Sequence, residues 1–124
     1  MLKILLIGGF GMVGTLARYW VQGFVQRITG TTFPYGTLAV NVVGSFIVGF
    51  AAALLLERAA ANPIWRSAIL IGFCGGFTTF SALAYETMEL ARTGDPVAAA
   101  LNMAGHVLLG LGAVWAGYAL ATAL

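Results

Sequence analysis

Charge is scarce in this sequence. Of its 124 residues only 8% are Asp, Glu, Lys or Arg, against about 25% in soluble domains, which excludes an ordinary water-covered surface. Acids are scarcer than bases, four against six, and none precedes Glu57. A net charge of +2, scattered along the chain, leaves no electrostatic footprint for a nucleic acid. The single cysteine, Cys74, permits no intrachain disulfide and no cysteine-based metal cage. No pairing of nucleophile and base suggests covalent chemistry, so the chain is not read as an enzyme.

What is abundant is apolar. Hydrophobic residues make up 60% of the chain, mean hydropathy is +0.95, and there are 17 glycines. A bilayer core of about 30 Å takes roughly 20 apolar residues per helix, so a chain of this length holds at most four spans. Four apolar segments are readable, at about 4–26, 36–56, 64–91 and 96–123, giving one four-helix transmembrane domain over 1–124. Between them lie TGTTFPY at 29–35, ERAAANP at 57–63 and RTGDP at 92–96, each with the Gly or Pro that stops a helix. These connections are short, so consecutive helices should run antiparallel. The opening MLKILLIGGF has a charged start and an apolar run, but the run outlasts a signal peptide and three further spans follow, so it is read as the first helix.

Small residues line every segment, as expected where helices must approach closely without a hydrophobic drive between them. The second carries Thr37, Asn41, Ser45, Gly49 and Ala53 at steps of four, and the fourth Ala100, Ala104, Gly105, Gly112 and Gly117. Gly9, Gly11 and Gly14 spell GxGxxG after an apolar run, but a dinucleotide fold needs an acid about 20 residues on, and none is there. They are read as a packing face.

Charged side chains at the membrane centre cost roughly 2.5–3.5 kcal/mol on insertion scales, so those within spans draw notice. Arg18 either snorkels to the interface or stands at the mouth of an anion route. Glu86 either marks the interfacial end of the third span or serves a vestibule, and Glu89 is a weaker candidate. His106 is read as a helix-contact residue rather than a proton relay, because no carboxylate shares its segment. Asn41 must find partners in the second span; interhelical glue and a polar lining are both open.

The strongest local signal is GFCGGFTTFS at 72–81. Two glycines and two threonines in mid-span weaken the helix, and the hydroxyls of Thr78 and Thr79 can satisfy backbone groups released by a break. A third helix broken near Gly75 to Thr79 is therefore expected, with free carbonyls able to coordinate a cation. Phe80 and Ser81 add an electropositive ring edge and a hydroxyl donor, groups that suit a dehydrated anion.

These residues resemble the Fluc (CrcB) family of fluoride channels. The likeness runs through the glycine-rich first helix ending in Arg18 and Tyr19, GTLAVNVVGSF at 36–46, GFCGGFTTFS at 72–81, and Glu86. It implies a passive fluoride-selective channel that exports cytoplasmic fluoride, built as an antiparallel dual-topology homodimer in the plasma membrane of a prokaryote, the inner membrane if Gram-negative. It further implies a central structural sodium ion held by the backbone carbonyls of Gly75 and Thr78. The anion pathway it implies comprises Asn41, Phe80, Ser81 and the vestibule Arg18, with Thr37, Thr79 and Leu83 beside them. Expected partners are thus fluoride, sodium, membrane lipid and a second identical chain.

The sequence also departs from the family. Members usually read FSTF after the break, and here FSAL puts Ala82 and Leu83 in place of a threonine and a second pore phenylalanine. Hydroxyl residues that often extend a polar track on the fourth helix are replaced by Gly110 and Val114. Lys3, Arg58 and Arg66 fall on one side of the membrane and Arg27 and Arg92, with Arg18 near them, on the other. So slight a bias predicts insertion in both orientations. The rivals are a small multidrug exporter, which needs a carboxylate in its first helix, and an auxiliary membrane subunit, which would not need Asn41 and Phe80.

Overall fold

The computed structural model describes residues 1–57 and 62–124, so Arg58 and most of the second connection lie outside the described residues. The elements are α1 (Leu2–Thr29), α2 (Tyr35–Ala52) extended by a π-helical turn (Ala53–Glu57), α3 (Pro63–Ser67), a π-helical stretch (Ala68–Cys74), α4 (Gly75–Phe77), α5 (Phe80–Arg92) and α6 (Pro96–Ala123). Four spans, Leu2–Thr29, Tyr35–Leu55, Pro63–Arg92 and Pro96–Ala123, are long and apolar enough to cross a bilayer. They match the four sequence segments to within about three residues at each end, the usual uncertainty of helix termini.

The expected punctuation works through named caps. α1 ends at Gly30, whose φ of 61° no β-carbon obstructs and whose N–H reaches Gln26 O. Asn62 accepts the Ile64 N–H at 2.9 Å to start the third span, and Asp95 accepts the Ala98 N–H at 2.9 Å to start α6, with Pro96 in the first turn. The turn between α5 and α6 passes through Gly94, at φ 93°.

Glycines set how closely the helices meet. A β-carbon on Gly49 of α2 would overlap the Val114 carbonyl of α6, and one on Gly117 of α6 would overlap the Phe46 carbonyl of α2. On the other side of the bundle Gly14 of α1 lies against Phe73, while Gly76 lies against Gly11. Gly11 and Gly14 thus form the expected packing face, but Gly9 touches nothing within 4 Å. The small stripe read on the fourth helix is displaced too. Its buried side is Ala99, Asn102, His106, Gly117 and Ala121, and Ala100, Ala104 and Gly112 are exposed. Periodicity alone did not reveal which of several small-residue rows would face α2.

Candidate functional site

The third span breaks at its midpoint. Thr78 (φ −93°, ψ 159°) and Thr79 (φ −151°, ψ 113°) are extended, while Gly75 keeps helical angles. The break therefore falls at the C-terminal end of the expected window, and the glycines serve the approach of α1 instead of supplying the unwound turn.

Asn41 holds the break from α2. Its Oδ1 accepts the Thr79 N–H at 2.8 Å and its Nδ2 donates to the Thr79 carbonyl at 3.0 Å. One turn on, Gly44 leaves just enough room for the Thr78 methyl group, which a β-carbon there would overlap. Thr79 in turn caps α5, its Oγ1 accepting the Ala82 N–H at 3.2 Å. In an unbroken helix the N–H groups of Thr79 and Ala82 would close on the carbonyls of Gly75 and Thr78. Both are diverted, to Asn41 and to the Thr79 hydroxyl. The break thereby releases the Gly75 and Thr78 carbonyls from the helical ladder, and Arg18 Nη1 approaches the second of them at 3.4 Å.

Around this junction an open groove of about 370 Å³ is lined by Asn41, Ser45, Thr79, Phe80, Leu83 and His106, among others. Phe80 is 75% exposed, and Leu83, at 6%, is packed inside the protomer with its side chain on the groove wall. Ser81 is exposed, with its hydroxyl 3.3 Å from that of Thr79. Thr37 does not join this groove. It lines a second cavity of about 510 Å³ with Gln22, Tyr19 and Glu86, where Gln22 Nε2 donates to Thr37 Oγ1 at 3.0 Å and Thr37 donates to Glu86 Oε1 at 2.6 Å.

The two spaces are joined by polar columns. On α2, Thr37, Asn41 and Ser45 follow at successive turns, and Ser45 donates to the Asn41 carbonyl at 2.7 Å. Facing them on α6 are Asn102 and His106, both buried. Gly110 of α6 lies near Ser45, 3.6 Å from where its β-carbon would stand, and Val114 lines the groove, so these departures sit on the wall of the same space. Glu89 belongs elsewhere, in an exposed ion pair with Arg92 at 2.9 Å.

Sequence reasoning did not single out Asn102, nor Gln22. The signal for the first was available: Asn102 and His106 are the polar pair at i, i+4 in an otherwise apolar span. His106 was discounted for want of a carboxylate on its own helix, and the fold supplies Glu86 from α5 within electrostatic reach.

A four-span membrane protein with a helix broken at bilayer depth, its break braced by a buried amide and flanked by a polar groove, has the architecture of an ion-conducting protein. Residues 5–118 match the family described as CrcB-like protein, Camphor Resistance (CrcB). The chain is 43% identical over 122 residues to a protein of Sulfurihydrogenibium sp. (strain YO3AOP1), covering 98% of each. It is 41% identical over 121 residues to one of Geotalea daltonii, again covering 98% of each. With one of Geobacter sulfurreducens it shares 44% identity over 117 residues, 94% of each. Each of these relatives is named as a fluoride-specific ion channel, FluC. The chain belongs to the CrcB family and is a multi-pass membrane protein.

Proposed function

We propose that this chain forms a fluoride-selective passive channel that lets cytoplasmic fluoride leave down its electrochemical gradient, with no catalytic step. The observation that carries the reading is the groove at the Asn41-braced break, in a family whose relatives at 41–44% identity are named fluoride channels. A small anion is strongly hydrated, and a route must replace its water with donors. Asn41 spends one Nδ2 hydrogen on Thr79 and keeps the other. Phe80 offers a ring edge, the exposed Ser81 hydroxyl a rotatable donor, and Arg18 a positive charge close to the break. Thr37 and Glu86 line the approach from one side, with the Thr37 hydroxyl occupied by the carboxylate.

The conducting unit is an antiparallel homodimer. An open groove with an exposed Phe80 and Ser81 at bilayer depth would set polar backbone against lipid, and a second chain covering it removes that penalty. The near-equal Lys and Arg counts on the two sides support insertion in both orientations. Cysteine labelling of end-tagged protein in intact cells should find each terminus on both sides, and a single orientation would contradict it.

Sodium fits the two released carbonyls. Gly75 is exposed with open space around it, and neither its carbonyl nor that of Thr78 receives the N–H an unbroken helix would supply. Two oxygens from one chain are too few for a dehydrated cation, so this structural ion would join Gly75 and Thr78 of both chains. Fluoride-electrode traces from liposomes carrying the purified protein, with no proton gradient, test the function. Efflux above that of protein-free vesicles supports it, and efflux only when a proton gradient is imposed overturns the passive mechanism.

A further inference from the structure

His106 is the chain's single histidine, 8% exposed, with its side chain on the wall of the groove shared by Asn41, Phe80 and Leu83. Its Nδ1 lies 2.9 Å from the Asn102 carbonyl oxygen. A backbone carbonyl can only accept, so Nδ1 carries the hydrogen. In the neutral ring Nε2 is then a bare acceptor, and it has no hydrogen-bond partner among the described residues. Asn102 Oδ1 and Glu86 Oε2 share that condition. The orientation of Asn102 is fixed, because Thr87 gives its hydroxyl hydrogen to the Leu83 carbonyl at 2.7 Å and so accepts from Asn102 Nδ2 at 3.0 Å. All three unpaired buried atoms are acceptors. With the imidazole neutral they repel an anion, whereas one proton on Nε2 turns an acceptor into a charged donor on the groove wall.

The groups facing the ring are few. α2 brings Asn41 and Ser45 and carries no acid or base beyond Tyr35 at its start. α5 brings Glu86, within electrostatic reach of the ring; its Tyr85 is exposed, and its Glu89 and Arg92 pair with each other. The break brings the Thr78 carbonyl with Arg18 against it. On α6 itself the remaining titratable groups are Asp95, at the helix start, and Tyr118, three turns on. Glu86 is the acid that answers a charge on His106.

We propose that protonated His106 is an anion-binding residue of this groove, donating its Nε2 hydrogen to fluoride, so that proton binding and fluoride binding at this ring favour one another. The proposal rests on the fluoride reading above. Because the chain has one histidine, 15N-histidine labelling of the full-length dimer gives one imidazole to follow by NMR. Adding fluoride at constant sodium should move its protonation midpoint to higher pH, by linkage, and chloride at the same concentration should not. A midpoint indifferent to fluoride overturns the proposal. In liposomes, with protein-free efflux subtracted, parent flux should rise several-fold between about pH 8 and about pH 5.5, the range in which histidine changes charge, while His106→Gln stays level. A His106→Gln protein that keeps the parental pH dependence also overturns it. Strong flux with an indifferent midpoint sinks the His106 site and leaves the channel standing; a fluoride-linked midpoint without flux at any pH supports the site and sinks the channel.

Discussion

Asn41 grips Thr79 with both ends of one amide, accepting its N–H at 2.8 Å and donating to its carbonyl at 3.0 Å. A single side chain on α2 thus satisfies both backbone groups of the residue at which the third span loses its helix. The same contact takes the Thr79 N–H away from Gly75, so the brace and the released carbonyls are two consequences of one geometry.

Replacing Asn41 should separate its bracing role from its role as a donor. Asn41→Ala leaves the Thr79 N–H and carbonyl unpaired, which should destabilise the protein by about 1–3 kcal/mol and lower its melting temperature in detergent. Asn41→Asp can still accept the N–H but adds negative charge beside the route, so it should lose fluoride flux with a smaller loss of stability. Equal melting temperatures for Asn41→Ala and the parent would show that the break stands without its brace.

Phe80 and Leu83 should respond oppositely. They stand three residues apart on one face of α5 and both line the groove, but only Phe80 presents a ring edge. Phe80→Ile should reduce fluoride flux severely. Leu83→Phe enters a packed site, where overpacking costs typically 1–3 kcal/mol, yet its ring can lie along the groove, and flux should be unchanged or higher. Electrode traces from matched vesicles decide both, and parental flux from Phe80→Ile would remove the groove from the ion route.

Much of this was legible in the sequence. The four spans follow from apolar length, and their ends from Gly30, Pro63, Gly94 and Pro96, because caps act within a few residues. The broken third helix was readable from GGFTT, and the importance of Asn41 from the cost of a lone amide in a span. What escaped depended on contacts between helices. That Gly75 and Gly76 stay helical, that Thr37 serves Glu86 rather than the groove, and that Asn102 and His106 face the α2 column are set by how distant segments pack. A row of small residues does not say which of its sides meets a neighbour.

The interface of α2 with α6 should tolerate no added bulk. Gly49→Val and Gly117→Val each drive a side chain into a facing carbonyl, so the helices must separate. Each should cost at least about 1–3 kcal/mol and show as a lowered melting temperature or aggregation on size exclusion, with Gly49→Ala milder. Parental stability of Gly49→Val would contradict the close approach.

Sodium should stabilise the dimer through backbone atoms. Thr78→Ser keeps the carbonyl and should be mild. Gly75→Val should weaken the dimer, although its β-carbon meets nothing within the protomer, because the bulk points where a second chain would lie. The dimer should melt higher in sodium than in a large organic cation, and equal melting in the two would count against a bound ion.

The most direct measurement is halide efflux from one preparation of proteoliposomes, loaded with fluoride and chloride together, clamped at equal pH inside and out, and read with two ion-selective electrodes. The account predicts rapid fluoride release with chloride retained, because the donors at Asn41, Phe80 and Ser81 must close on an ion small enough to meet them at once. Equal release of the two halides would contradict it.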